Sequence, residues 1–190
     1  MTTDQKKTAL LIVDLQNDYF PGGKMELQGS PQAARQARRL IDAFRQSGQP
    51  VVFVRHISTR RGATFFLPES EGAEIYPEVE PQPGEPVFEK HFPNSFRETG
   101  LLEYLRRNGI ENLVIGGMMT HMCLDATARA AFDHGFRCTV AGDACATRDL
   151  TFAGETIPAR DVQRSFLAAL QGTYGQVLSV DEILEQTGVV

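Results

Sequence analysis

An α/β fold with a mainly parallel sheet is what this sequence predicts, and two observations carry that prediction. Apolar, β-branched runs alternate along the chain with segments of helical period, the pattern left by strands and their crossover helices. The first run, Thr8–Val13, is apolar almost without interruption, as in a strand covered on both faces.

The elements follow in order. Thr8–Val13 ends in Asp14. Ala37, Leu40, Ile41 and Phe44 stand at i, i+3, i+4 and i+7 and predict a helix closed off near Gly48. Val51–Val54 reads as a second strand. Thr99–Asn108 predicts a helix with Leu101, Leu102 and Leu105 inward and Gly109 at its end. Asn112–Gly117 reads as a short buried strand, with Cys123 just beyond the Gly-Gly-Met-Met-Thr turn. From there Leu124, Ala128, Ala131 and Phe132 recur at helical spacing until Gly135, and Phe136–Ala141 is a further strand. A last helix has Pro158 in its first turn and Val162, Phe166 and Leu170 on one face; Gln176–Leu178 follows as a short strand.

With 190 residues, 42% of them apolar, the chain suits one well-filled core, so residues 1–190 are read as a single domain. Thr59–Pro86 breaks the rhythm, with five of the ten prolines, six glutamates and no sustained period. A segment of that length inside a compact domain predicts a lid or binding loop, with a plain surface excursion carrying a short helix of its own as the alternative. Its glutamates (Glu69, Glu71, Glu74, Glu78, Glu80, Glu85) are expected to repel anionic substrates and tolerate neutral or cationic ones.

A formal charge of −5 and a pI near 5.4 argue against a nucleic-acid or anionic-membrane partner. No apolar run approaches the ~18 residues of a transmembrane span. The start, MTTDQKK, lacks the apolar core of a secretory signal, and three cysteines without framework spacing suit a reducing cytoplasm.

Three residues stand out chemically. Cys123 at a strand-to-helix turn meets unpaired N–H groups and the helix dipole, which are expected to lower a thiol pKa from ~8.5 and free the thiolate. The alternative is a small buried apolar cysteine. Ligands of open parallel sheets bind beyond the carboxyl ends of the strands, where Asp14 and Cys123 both lie. Lys90, in VFEKHFPNSF, follows the proline-rich loop. Together they offer a carboxylate, an ammonium and a thiol, the parts of a nucleophilic amide hydrolase.

Other chemistries fit less well. Cys123 and Arg129 satisfy the C-x5-R spacing of cysteine phosphatases, but LDATA between them favours helix and has no glycine to wrap a phosphate. His121, two residues from Cys123, does not face it in a helical turn, which leaves His91, approaching from its loop, as the open histidine partner. Gly116-Gly117 lacks the G-x-G-x-x-G of a dinucleotide site.

IVDLQNDYF, FEKHFPNSF and IGGMMTHMCLDATARAAFDHGF together resemble the signature blocks of the isochorismatase-like cysteine hydrolase superfamily, in order and spacing. The resemblance covers nearly the whole chain. It implies a three-layer α/β/α domain and a catalytic triad of Asp14, Lys90 and Cys123. It implies an oxyanion hole of the Met119 and Cys123 backbone N–H groups, a cis peptide at Met118–Met119, and Gln16 and Tyr19 in the substrate pocket. Phe20, Phe92 and Phe96, near the first two blocks, are candidate pocket walls or core residues. Isochorismatases proper, which cleave a vinyl ether, lack the cysteine, so Cys123 implies C–N hydrolysis of a small amide or lactam through a thioester. A binding protein that kept the fold and lost the chemistry is the alternative. The Asp-x-His of nicotinamidases is missing, with His56 alone after the second strand, so neither metal nor other cofactor is expected. The resemblance further implies a homodimer or larger homo-oligomer.

Overall fold

The computed structural model describes residues 7–187. Six strands form one parallel sheet in the order β3-β2-β1-β4-β5-β8: β1 (Lys7–Val13), β2 (Val51–His56), β3 (Val87–Lys90), β4 (Ile110–Met118), β5 (Arg137–Ala146) and β8 (Gln176–Leu178). The chain moves outward from β1 through β2 to β3, then returns to the other side of β1 with β4. Strand order therefore reverses between β1 and β4, and a crevice opens there beyond their carboxyl ends.

β1 lies at the centre because both of its faces are apolar. Leu10, Ile12 and the helix residues Leu40, Ile41 and Phe44 fill one layer; Leu11, Val13, Ile115, Leu101, Leu105 and Ala128 fill the other. Each such side chain taken fully from water contributes ~1.5–3 kcal/mol. α1 (Ser30–Gln46) and α5 (Val180–Thr187) cover the first face. α2 (Leu101–Arg107), α3 (Asp125–Asp133) and α4 (Ala159–Leu170) supply Leu101, Ala128, Ala131 and Leu170 to the second. This is the three-layer α/β/α arrangement expected.

At the crevice the two central strands almost touch. Gly117 has φ +137°, and a Cβ there would lie 2.0 Å from the Val13 carbonyl oxygen. Glycine is required, because any side chain would force β1 and β4 apart. β4 then enters a π-helical turn, Thr120–Leu124, before α3 begins, so Cys123 sits inside a widened turn and not at a plain helix start. Such turns cluster at functional sites.

Several elements differ from the sequence reading. α1 begins at Ser30, seven residues before the apolar periodicity, because Ala33 and Ala34 bury small faces. β5 runs on to Ala146 through a register shift against β4, past a Gly142-Asp143 pair that resembles a turn. A hairpin of β6 (Leu150–Phe152) and β7 (Glu155–Ile157), each strand too short to show a period, and the helix α5, whose Val180, Ile183 and Leu184 stand at i, i+3 and i+4, are not among the elements read from the sequence. Phe132 is 43% exposed and meets the edge of Tyr174 instead of entering the core.

The segment 59–86 is more built than a loose lid. Phe66, Ala73 and Val79 are core residues, and short 3-10 turns form at Glu71–Ala73 and Pro77–Val79. Among the described residues, no helix is long and apolar enough to cross a membrane.

Candidate active site

Three strand ends bring the chemistry together. Asp14 follows β1 in a left-handed conformation (φ +52°), tolerated by aspartate better than by most residues. Lys90 is the last residue of β3, and Cys123 hangs from the π turn after β4. Lys90 Nζ donates to Asp14 Oδ2 at 2.7 Å, both side chains being fully buried. Asp14 Oδ1 is also buried and has no hydrogen-bond partner among the described residues. A carboxylate oxygen of Asp14, a ring nitrogen of His56 and Cys123 Sγ lie within 4.8 Å of one another.

Burial opposes charge on Lys90, but Asp14 and then Cys123 outweigh it and raise its pKa, so the group is an ammonium. Its next contact follows from that. Lys90 Nζ stands 3.1 Å from His56 Nδ1. An ammonium can only donate, so Nδ1 accepts and the imidazole proton sits on Nε2. Burial, with Lys90 adding to it, pushes the His56 pKa down to about 4, so His56 is neutral near pH 7.

The thiol reverses an expectation. Burial, then the nearby Asp14 carboxylate, raises the Cys123 pKa, and Lys90 offsets this only in part. Desolvation in the crevice exceeds the stabilisation expected from helix-end N–H groups, two of which, those of Met122 and Leu124, already donate to Met119 O. The resting residue is a protonated thiol beside a carboxylate.

Asp14, His56 and Cys123 have the number and type of ligands for a metal. The Lys90 ammonium already occupies Asp14 Oδ2 and His56 Nδ1, where a second cation would meet direct repulsion. These residues do not fit a metal.

Cys123 opens into a cavity of about 670 Å³, a volume suited to a small-molecule ligand. Tyr19, Phe65, Phe66, Phe92 and Met119 wall it; His56, His91, Arg60 and Arg148 add polarity. Burial, followed by Cys123 and Asp14, raises the Tyr19 pKa, so its hydroxyl stays protonated and able to donate. Asp14 and Lys90 are absent from the lining and lie behind Cys123 and His56, which are part of it.

Of the expected pocket residues, Tyr19 and Phe92 line this space, and three others are used elsewhere. Gln16 donates to the carbonyls of His56 (2.9 Å) and Ala73 (2.7 Å) and accepts the His56 N–H at 2.7 Å. Fully buried, it clamps β2 to the segment after it. Phe20 stacks on Tyr76 with ring centroids 3.6 Å apart. Phe96 packs against His134 and Phe136. The Met118–Met119 peptide is cis; Met118 is buried in the core, and Met119 lines the cavity.

The acidic rim is corrected as well. None of the six glutamates of the 59–86 segment lines the cavity. Arg45 holds Glu85 at 2.8 and 2.7 Å, and Arg55 holds Glu74 at 3.3 Å, none of the four lining the cavity. The residues that do line it, 58–60 and 63–66, bring Arg60 and no acid.

A depression of about 780 Å³ lies at the other edge of the sheet, bordered by Thr8, Asn112, Arg137 and Gln176. Cys138 is the thiol lining it; burial pushes its pKa up to about 12, and no carboxylate lines the space.

The isochorismatase domain model matches residues 8–182. The chain belongs to the isochorismatase family. This family member is 47% identical to the isochorismatase family protein YddQ of Bacillus subtilis over 178 residues, 94% of this chain and 99% of that one. Its fold is similar to that of an isochorismatase hydrolase from Oleispira antarctica, with a TM-score of 0.92 at 50% identity over 97% of this chain and 100% of that one. It is also similar to the N-carbamoylsarcosine amidase of Thermoplasma acidophilum, with a TM-score of 0.79 at 27% identity over 92% and 97% of the two chains. The family is hydrolytic, and amidohydrolases stand among its relatives.

The sequence weighs His56 only as a lone metal suspect, makes Arg60 one of a solvated cationic pair with Arg61, and gives no role to Asp18 or Arg148; the structure places His56, Arg60 and Arg148 on the cavity. His56 ends β2, Arg148 stands two residues after β5 and Asp18 lies within the first signature block, which is the signal that was available; Arg60, four residues beyond β2, had none.

Proposed function

We propose that this family member is a cofactor-independent cysteine amidohydrolase that cleaves a C–N bond of a small amide or lactam. One observation carries the reading: a buried thiol opens to the cavity and is backed by a carboxylate whose second oxygen is locked by a buried ammonium.

The steps follow from these positions. As Cys123 Sγ attacks the substrate carbonyl, its proton passes to the unpartnered Asp14 Oδ1, and a C–S bond forms. Because the resting thiol is protonated, transfer and attack are coupled. The oxygen of the tetrahedral intermediate takes hydrogen bonds from the Met119 and Cys123 backbone N–H groups, each such donor supplying roughly 3–4 kcal/mol in comparable sites. Asp14 then protonates the departing nitrogen, the C–N bond breaks and a thioester remains. Asp14 next takes a proton from water, whose oxygen attacks the thioester; the acid leaves, and the proton returns to sulfur. Lys90 orients Asp14 throughout and offsets its charge, and His56 fixes Lys90 from the other side.

The test is acid-quenched mass spectrometry during turnover of an amide panel, read beside the release of ammonia or amine. An acyl adduct on the Cys123 peptide, absent in Cys123→Ala, is expected. Amide turnover by the Ala variant within tenfold of the parent would sink the covalent route.

A further inference from the structure

We propose that His56 holds the hydrolytic water that releases the thioester, donating to its oxygen from Nε2 while Asp14 takes its proton. This rests on the covalent amidohydrolase reading above and assigns a residue to its second half.

The neighbour of His56 fixes its tautomer. The Lys90 ammonium can only donate, so Nδ1 accepts at 3.1 Å and the ring proton stands on Nε2. His56 lines the cavity, and Nε2 has no hydrogen-bond partner among the described residues. The residue is firmly seated. Gln16 grips its backbone on both sides, at 2.7 Å through the N–H and 2.9 Å through the carbonyl, and His56 pairs with Lys90 in the β2–β3 register. His91, the other histidine on the wall, is differently engaged. Its Nδ1 donates to the Ile57 carbonyl at 2.9 Å, and its Nε2 stands 3.9 Å from Glu89.

The spacing suits one water. A ring nitrogen of His56, a carboxylate oxygen of Asp14 and Cys123 Sγ lie within 4.8 Å of one another. Two partners of a single tetrahedral water, each ~2.8 Å from its oxygen, stand roughly 4–5 Å apart. A water held between the histidine and the carboxylate therefore has its oxygen beside the sulfur and the acyl carbon on it. In the thioester the sulfur has no proton to offer, so the buried and unpartnered Asp14 Oδ1 requires a new donor. The water gives one hydrogen to Oδ1, accepts the Nε2–H with one lone pair and keeps the other for the acyl carbon. As its oxygen–carbon bond forms, the C–S bond breaks, and the proton taken by Asp14 passes to the leaving sulfur. The wall residues Phe65, Phe66, Phe92 and Met119 carry no side-chain donor for this role.

The experiment separates acylation from deacylation. p-Nitrophenyl acetate acylates a nucleophilic thiol with no C–N bond to break, so its burst and steady-state rates report the two halves. An asparagine amide reaches the place of Nδ1, and a glutamine amide that of Nε2. His56→Asn is expected to keep the Lys90 contact and the burst rate but to lower kcat at least about tenfold, with KM falling in step and kcat/KM held within about twofold. The acetyl adduct on the Cys123 peptide should accumulate, and hydroxylamine, a stronger nucleophile than water, should restore turnover. His56→Gln, which keeps a donor at Nε2, should recover part of the loss. With any amide that is cleaved, the acyl adduct should build up in His56→Asn beyond the level in the parent. Deacylation of His56→Asn at the parent rate overturns the assignment, as does a burst slowed as much as kcat or a loss that hydroxylamine leaves untouched. If the ester acylates Cys123 but no amide is cleaved, the C–N reading falls and the role of His56 is still decided by the deacylation rates. If neither ester nor amide ever acylates Cys123, both fall.

Discussion

Asp18 Oδ2 accepts the backbone N–H of Phe66 at 2.6 Å, joining the turn after β1 to a segment forty-eight residues further along the chain. The other oxygen takes the Lys24 N–H, and Gly72 packs so close that a Cβ there would stand 2.3 Å from Oδ1. One buried carboxylate thus fixes the Phe65–Phe66 wall in front of Cys123.

Asp18→Asn is therefore expected to raise KM more than it lowers kcat. The amide can accept at one oxygen only, so either Lys24 or Phe66 loses its partner, at a cost of ~1–3 kcal/mol. Gly72→Ala should give the same pattern by pushing on the carboxylate. Unchanged KM in both variants, with a lower melting temperature, would show that the wall holds its place without Asp18.

Thiol alkylation should run opposite to turnover. With the Cys123 pKa raised by burial and Asp14, iodoacetamide should label it slowly at pH 7 and faster as pH rises. Asp14→Asn removes a raising influence and leaves Lys90, so labelling at pH 7 should accelerate while amide hydrolysis falls at least about a thousandfold. A variant that labels no faster than the parent would mean that the carboxylate does not govern the thiol.

Lys90→Met leaves the Asp14 charge buried without its counter-ion, and a loss of ~3–5 kcal/mol in unfolding free energy is expected. Adding Asp14→Asn removes that charge and should recover much of the loss, although both variants are inactive. Denaturant melts of the single and double variants give the answer; purely additive losses would separate the two residues energetically.

His56 makes stability depend on acid. Its folded pKa of about 4 lies below the ordinary 6.5, so between those values the unfolded chain takes up a proton that the fold refuses. The contribution is complete above pH 6.5 and is lost as pH falls towards 4. His56→Gln should flatten that part of the profile, measured as unfolding free energy at pH 7 and pH 5. A parent-like decline in the variant would assign the acid sensitivity to other groups.

The sheet was legible in the sequence because its central strands are apolar on both faces; Thr8–Val13 and Asn112–Gly117 lie within β1 and β4. The meeting of Asp14, Lys90 and Cys123 was legible because each stands at a strand end or the turn that follows it. What escaped was set by partners distant in sequence. Gln16 looks like a pocket residue until its amide is found clamped between His56 and Ala73. The glutamates of 69–85 look like a rim until Arg45 and Arg55 claim two of them elsewhere. The thiol pKa was misjudged because backbone position shows the helix end and not the depth of burial.

Asp14 and Lys90 are buried beneath the sulfur, outside the lining of the cavity. The buried carboxylate–ammonium pair therefore belongs to the rigid sheet, whereas the shape and charge that a visitor meets belong to residues 58–66, 91–93 and 148 on the connections above it. A lineage can rewrite those connections, one residue at a time, without retuning the chemistry beneath. A single scaffold of this kind can diversify its diet while its engine stays sealed.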